Sequence, residues 1–366
     1  MTRTFTASRR QLTALRLSAQ GIVRSADSPG DPAATVRRML CVQAQDFAGA
    51  KWSVGLRTPG ATDASIEAGL AAGEIVRSWP MRGTLHFVPP EDLGWILSLT
   101  ADRIIRGTAG RERELELTDG EFARAGDVAR EQLSGRRELT RDGLLEAFVA
   151  AGIPTTGQRG MHLLQRLCLD RLTVFGPVRG KQQTFVLLDE WVRSPRALER
   201  DEALGEFALR YFSAHGPATV RDFAWWSSLT LTDARAGVAV ARELLDELDV
   251  DGTAYLLGRD TPAAPSATVA LPGFDEYLLG YQDRSAALAT QHAKLVVPGG
   301  NGLFLSTIVV DGEVVGTWRR TLARGCVTVD ARPFAGLSAR ARSRFANAVA
   351  DYARFLGMPL HSLRYE

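Results

Sequence analysis

A short phrase returns along this chain, and its return forces a modular fold. Ala34-Thr35-Val36-Arg37-Arg38-Met39 recurs as Ala218-Thr219-Val220-Arg221-Asp222-Phe223, with a looser middle copy at Leu139-Thr140-Arg141-Asp142-Gly143-Leu144. In each copy a threonine stands where a helix cap belongs, so each phrase predicts the start of a short amphipathic helix. A second helix follows, opened by Thr62-Asp63-Ala64 in the first unit and by Thr232-Asp233-Ala234 in the third. In the middle unit Thr155, with Gln158 three residues on, has the form of a capping box. Each unit then ends in a β-prone segment: Arg82-Gly83-Thr84-Leu85-His86-Phe87, Arg171-Leu172-Thr173-Val174-Phe175 and Gly252-Thr253-Ala254-Tyr255-Leu256. Amphipathic helices at 9–20, 121–133 and 202–214 precede the three pairs. Helix, helix, helix, hairpin, three times over, is the plan of a winged helix-turn-helix unit. The expected fold is α+β. Three tandem winged helix-turn-helix units at 1–110, 111–197 and 198–262 precede a C-terminal β-rich region at 263–366 with a hairpin and a closing helix.

The repeat is uneven, and the unevenness points to a site. From Thr219 to Thr232 is 13 residues and from Thr140 to Thr155 is 15, but from Thr35 to Thr62 is 27. The first unit therefore carries an insertion of roughly a dozen residues between its second and third helices, within the usual softness of element boundaries. It begins at Gln43-Ala44-Gln45-Asp46 and runs on through Lys51-Trp52. Added polypeptide on a rigid scaffold is a common seat of function when it forms a loop. Gln43 and Gln45 are two apart and so can face one way. A primary amide offers two donors and an acceptor without charge, which suits holding a water or a base edge. The bland alternative is a solvated helix end.

Composition narrows the class. No run of about 18 apolar residues is present, so a membrane span is not expected. Met1-Thr2-Arg3-Thr4-Phe5 lacks the apolar core of a secretory leader. Cys41, Cys168 and Cys326 are scattered, odd in number and without metal spacing, and read as buried thiols of a cytoplasmic protein needing no metal or other cofactor. Net charge is only +2, which leaves the partner open, yet 41 of the 44 basic residues are arginines. Genomic base composition explains that excess as readily as phosphate recognition does.

Three motifs together carry a family resemblance. Cys41-Val42-Gln43-Ala44-Gln45, Trp79-Pro80-Met81-Arg82-Gly83-Thr84-Leu85-His86 and Leu271-Pro272-Gly273-Phe274-Asp275-Glu276-Tyr277-Leu278-Leu279-Gly280-Tyr281 resemble the AlkZ-type, YcaQ-related winged-helix DNA glycosylases over nearly the whole chain. The resemblance implies tandem winged-helix domains wrapped around damaged DNA, the removal of N-alkylated bases and, in some members, the unhooking of interstrand crosslinks; a monomer is expected. Its glutamine–apolar–glutamine motif falls on Gln43, Ala44 and Gln45, making Gln43 and Gln45 the expected catalytic pair. Relatives of the other branch carry aspartate at the last position, so Gln45 points to the AlkZ side.

The chemistry fits those side chains. A purine alkylated at N7 or N3 is cationic and already a good leaving group, so a strong general acid is unnecessary. Two neutral amides can place the attacking water by hydrogen bonds. Asp46 suits two roles, a carboxylate base or the cap of the following helix, and the cap is preferred. Lys51, after Gly49-Ala50, reads as a solvated ammonium beside a turn. A water-attacking, monofunctional hydrolase is therefore expected, rather than one using an amine nucleophile.

Other basic positions are candidate DNA contacts, each with a structural alternative: Arg82 before the strand, Arg159 at the third helix of the middle unit, and Arg179 and Lys181 at a wing tip. His86 reads as a structural histidine and Trp225-Trp226 as core. Near the C-terminus, Leu303–Val310 and Glu313–Trp318 flank Asp311-Gly312, a strong hairpin signal, with Arg319 and Arg320 at its base and Arg324 nearby. That hairpin either completes a small sheet or, as the resemblance implies, probes the duplex. The competing functional class is a non-catalytic winged-helix regulator of transcription, with a protein-binding adaptor as a third reading. The glutamine insertion separates the first from the others, since a pure reader has no use for it.

Overall fold

Capping chemistry decides where this chain turns helical. The computed structural model describes residues 4–23, 30–300 and 302–366. Residues 1–3, on which part of the leader argument rests, lie outside them. β1 (Thr4–Thr6) is followed by α1 (Arg9–Ala19), which starts on a full capping box between Ser8 and Gln11. α2 (Pro32–Met39) begins behind Asp31, whose carboxylate accepts the Ala34 N–H. The expected cap, Thr35, is one turn inside the helix, with its buried hydroxyl 2.6 Å from that of Thr58. An aspartate followed by proline outcompetes it, because the pair supplies an acceptor and a pre-set φ together.

β2 (Val42–Gln43) leads to α3 (Phe47–Arg57), and α4 (Asp63–Ala71) starts after Thr62, whose hydroxyl accepts the Ser65 N–H. The insertion is thus a helix and not a loop. Gly49 and Ala50 lie within α3 rather than in a turn. The hairpin β3 (Val76–Met81) and β4 (Thr84–Val88) comes next, with Arg82 and Gly83 as its two-residue turn at φ 55° and 64°. Arg82 is therefore a hairpin tip and not the head of a strand, in the left-handed conformation such a turn requires.

The long helix α5 (Pro90–Glu114), absent from the repeat, connects to α6 (Asp119–Leu133), β5 (Leu139–Thr140), α7 (Arg141–Ala150) and α8 (Arg159–Leu169). Thr118 with Glu121, and Thr140, cap α6 and α7 as side-chain acceptors. The capping box expected of Thr155 and Gln158 does not form. Gly157 turns the chain at φ 64°, α8 begins only after Gln158, and the Gln158 amide oxygen accepts from Arg111. β6 (Thr173–Arg179), β7 (Gln182–Leu187) and the one-turn α9 (Leu188–Trp191) complete this stretch.

α10 (Arg200–His215), α11 (Val220–Ser227), α12 (Leu231–Ala241) and the hairpin β8 (Leu245–Val250) and β9 (Thr253–Gly258) form the third series. Thr219 and Asp222 make the capping box at α11. α12 starts at Thr230 instead of Thr232, because Thr230 has Asp233 three residues on to return the bond. The chain ends with β10 (Thr268–Leu271), α13 (Glu276–Leu279), α14 (Ala293–Val296), β11 (Thr307–Val310), β12 (Glu313–Ala323), β13 (Cys326–Pro333), α15 (Ala339–Phe355) and β14 (Leu360–Tyr365). The expected strand from Leu303 starts only at Thr307, and its partner runs beyond Trp318 to Ala323, so Arg319 and Arg320 lie within β12.

The result is a mixed α and β protein whose chain divides into two compact units, Met1–Ile66 with Leu204–Glu366, and Glu67–Ala203. The first holds a three-stranded sheet, β1-β8-β9, with β1 parallel to β8, and a five-stranded sheet, β10-β11-β12-β13-β14. α15 covers the larger sheet, and Tyr352 on it meets Trp52 of α3 at 5.1 Å and Trp318 of β12 at 5.4 Å. Phe207, Tyr211, Phe212, Phe223 and Trp226 form an aromatic core across α10 and α11; Trp225, expected in the core, is only half-buried and lies beside Arg284. In the second unit the order is β4-β3-β6-β7-β5. No described helix is long and apolar enough to cross a membrane.

Candidate active site

The glutamine segment leaves α2 through a sharp corner. Leu40, fully buried, takes φ 63° and ψ −53°, a conformation costly for a branched side chain and held here by burial on all sides. The chain then extends through Cys41, Val42 and Gln43 before Asp46 starts α3 by accepting the Gly49 N–H at 3.1 Å. Asp46 thus serves as the cap. Ala44 is fully buried. Gln43 is 8% exposed, whereas Gln45 is exposed. The Gln43 side-chain oxygen is buried and has no hydrogen-bond partner among the described residues. Such an acceptor is costly to leave empty.

Beneath this segment lies a carboxylate that sequence reasoning missed. Glu276 is fully buried; its Oε1 accepts the Gln43 N–H at 2.9 Å and its Oε2 accepts the Trp226 indole N–H at 2.8 Å. His215 Nε2 stands 3.4 Å from Oε2, and its ring stacks on Tyr211 at 5.0 Å. Next to it, Asp275 is gripped by Arg57 through bonds of 2.8 and 2.9 Å, and Ser53 donates to the same carboxylate. Arg57 also donates to the Gln20 side chain and carbonyl, and Gln20 donates to the Glu276 carbonyl and to the Tyr281 hydroxyl. Burial pushes the Tyr281 phenol up to about 12, with the Arg16 guanidinium 3.6 Å from its ring centre pulling the other way. The sequence did contain a signal: Asp275-Glu276 interrupts an otherwise apolar run, and carboxylates in such a run need partners if buried.

Lys51 is not a solvated ammonium. Its side chain is 8% exposed, with Nζ 2.7 Å from Asp63 Oδ2 and 5.1 Å from the centre of the Phe47 ring. Helix α3, unforeseen, turns it inward.

The candidate DNA contacts separate by position. Arg82 and His86 stand together on β3–β4, with Arg82 Nη2 3.1 Å from His86 Nε2 and the other ring nitrogen 2.9 Å from the Thr84 carbonyl. Arg179 and Lys181 sit at the β6–β7 tip, and Arg179 pairs with Glu138. Because β3 and β6 are antiparallel, the two tips lie at opposite ends of their sheet. Arg159 is a strut: its guanidinium bonds Glu121 and the Leu115 and Pro154 carbonyls, tying α8 to α6. The Asp311-Gly312 turn forms, but it is packed inward, with the Gly312 carbonyl accepting from Tyr277 and a Cβ there falling 2.6 Å from Thr13. The exposed hairpin end is the next one, β12–β13, turning at Arg324-Gly325, with φ 52° and 73°. Leu322 is exposed there, Arg319 pairs with Asp330, and Arg320 lies 5.7 Å from the Tyr352 ring centre. Tyr352 in turn packs on Trp52, so Arg320 and α3 share one neighbourhood.

Among the described residues no group of three histidine, cysteine or acidic side chains could hold a metal. Cys41 and Cys168 are buried, and Cys326 is half-exposed rather than buried. Burial pushes the Cys168 thiol up to about 12.

Comparison with known proteins gives three concordant matches. A family model described as DNA glycosylase AlkZ-like matches residues 36–355. A protein from Streptomyces sahachiroi described as an interstrand DNA cross-link repair glycosylase is 30% identical over 335 residues, covering 85% of this chain and 88% of that protein. The solved structure of Streptomyces sahachiroi DNA glycosylase AlkZ superposes with a TM-score of 0.82 at 27% identity, over 99% of this chain and all of that one.

Proposed function

This chain belongs to the AlkZ-like family of DNA glycosylases, and from that premise we propose that it hydrolyses the N-glycosidic bond of purines alkylated at N7 or N3 in duplex DNA. The buried, unpartnered Gln43 oxygen carries the proposal. It accepts an O–H of the attacking water, while Gln45, two residues on and exposed, supplies the second amide of the pair. The water oxygen bonds to C1′ as the C1′–N bond breaks, the purine leaves with the bonding electrons that cancel its positive charge, and the water's proton passes to solvent. An amide is too weak a base to take that proton, so both glutamines act by placement.

Water attack makes the enzyme monofunctional: the abasic strand stays intact, and the step as written calls on no group beyond the amides and the water. The name of the Streptomyces relative supports extending the substrate to interstrand crosslinks, which are larger forms of the same N-alkyl lesion. The regulator reading loses its ground, since the family is one of enzymes.

We read the three helix–helix–helix–hairpin series as winged helix-turn-helix units at 1–110, 111–197 and 198–262, with 263–366 as a C-terminal β-rich region. Arg82, Lys181, Arg179, Arg319 and Arg320 are the proposed phosphate contacts. Exposed Leu322 beside Arg320 gives the β12–β13 hairpin the character of a wedge. Arg159 contributes by holding α8 in place. We place the protein in the cytoplasm, a reading that its membership of a DNA glycosylase family supports.

The test is incubation with a duplex holding one N7-alkylguanine, followed by heat or alkali. Strand breaks should appear only after that treatment. Gln43→Ala and Gln45→Ala should each cut excision by about 10²–10⁴-fold with duplex affinity nearly intact. Undiminished excision in both variants would remove the amide pair from the mechanism.

A further inference from the structure

Behind the amide segment stands a buried acid that the chemistry above does not use. Glu276 receives two N–H donors on two different oxygens, from Gln43 at 2.9 Å and from Trp226 at 2.8 Å. Only a carboxylate meets both, because a side-chain amide has one acceptor oxygen and would turn its NH₂ toward the other donor. The turn that carries Glu276 is itself immobilised. Arg57 holds Asp275 through two bonds, and Gln20 holds the Glu276 carbonyl at 3.2 Å. Gln43 is the last residue of β2, so its N–H bond fixes the backbone from which its unpartnered side-chain oxygen is aimed.

We propose that Glu276 is a positioning residue for base excision: its carboxylate pins the Gln43 backbone and so aims the Gln43 amide at the attacking water. The proposal rests on the catalytic reading of Gln43. Its effect belongs on the chemical step and not on DNA binding, because Glu276 is enclosed and cannot touch the duplex.

Single-turnover excision and duplex affinity would be measured for the wild type, Gln43→Ala, Glu276→Gln, Trp226→Phe and the Glu276→Gln/Trp226→Phe double variant. Glu276→Gln should slow excision about 10- to 100-fold, the scale of a misplaced reacting group, with affinity unchanged within about two-fold. In the double variant the indole donor no longer competes, and the new amide can turn its one oxygen to the Gln43 N–H, so part of the lost rate should return. Unchanged excision in Glu276→Gln, a loss of rate matched by loss of affinity, or no recovery in the double variant would overturn the proposal. If Gln43→Ala retains full activity, the catalytic reading itself fails. If Gln43→Ala is slow and Glu276→Gln is not, only the positioning role fails. Should Glu276→Gln not fold, Glu276→Asp keeps both acceptors but withdraws them by one methylene. Slowed excision at intact affinity then supports the proposal, and unchanged excision overturns it.

Discussion

Gln43 and Lys51 lie eight positions apart, and burial gives them opposite fates. The amide is enclosed with its oxygen unmet, while the ammonium is enclosed and met by Asp63. An amine that attacks a sugar must reach C1′, and the Lys51 Nζ is enclosed and held 2.7 Å from the Asp63 carboxylate. No covalent protein–DNA adduct should therefore be trapped by borohydride during turnover. Lys51→Ala should leave excision chemistry in place while lowering stability by about 1–3 kcal/mol, the scale of a lost charged hydrogen bond. Detection of an adduct that vanishes in Lys51→Ala would transfer the nucleophile's role to the lysine. The two residues also mark how far sequence reaches. Gln43 could be singled out because it opens an insertion, a property of the local count. Glu276, its partner, lies 233 positions away, and no local pattern couples two such distant residues. The inward turn of Lys51 was hidden for a related reason. Gly49 and Gly55 dilute the helical signal of α3, so the segment reads as a loop and its lysine as solvated.

Those glycines show what the inserted element needs. Trp52 on α3 donates its indole N–H to the Ala270 carbonyl at 2.8 Å and packs at 5.1 and 5.2 Å on Tyr352 and Phe355 of α15. One turn on, Gly55 faces Phe355 so closely that a Cβ would stand 2.4 Å from the ring. Replacing an exposed helical glycine by alanine raises stability by up to about 1 kcal/mol. Gly55→Ala should do the reverse, costing about 1–3 kcal/mol through overpacking and loosening α3 from α15. Thermal unfolding decides the sign, and a raised Tm would show that Phe355 yields easily. Helix order was readable from caps wherever one threonine stood clear, as Thr140 and Thr219 did. It shifted where a better cap stood close by, as with Asp31-Pro32 and Thr230. α5 was not foreseen because it belongs to no copy of the repeat. The Asp311-Gly312 turn was read correctly as a hairpin, but turn chemistry says nothing of which tip faces solvent. That depended on Thr13 and Tyr277, which are remote in sequence.

At the scale of the whole chain the two compact units differ in one chemical respect that gives each its own signal. All six tyrosines lie between Leu204 and Glu366, in the unit that also carries Gln43 and Glu276, and none lies in Glu67–Ala203. Burial holds the Tyr281 and Tyr352 phenols up to about 12 and pushes Tyr211 and Tyr277 well above their ordinary value. In an unfolded chain these phenols ionise near about 10. A folded-state pKa raised above the unfolded one means that the contribution to stability is complete below about pH 10 and is lost as pH rises through about 12. Holding a fully enclosed phenol at about 12 rather than about 10 corresponds to roughly 2–3 kcal/mol, and several such groups act in one core. Phenolate absorbance followed with pH should then show two phases. Tyr255 and Tyr365, partly exposed, ionise first and reversibly. The four enclosed phenols ionise later and together, in step with loss of the helical signal and of excision, because ionising one of them in place would leave a phenolate shut away from water. Smooth ionisation of all six near pH 10 with the fold retained would show that water reaches this core freely. It would also weaken the case for an enclosed carboxylate behind Gln43, since Tyr211 and Tyr281 stand in the same network as Glu276.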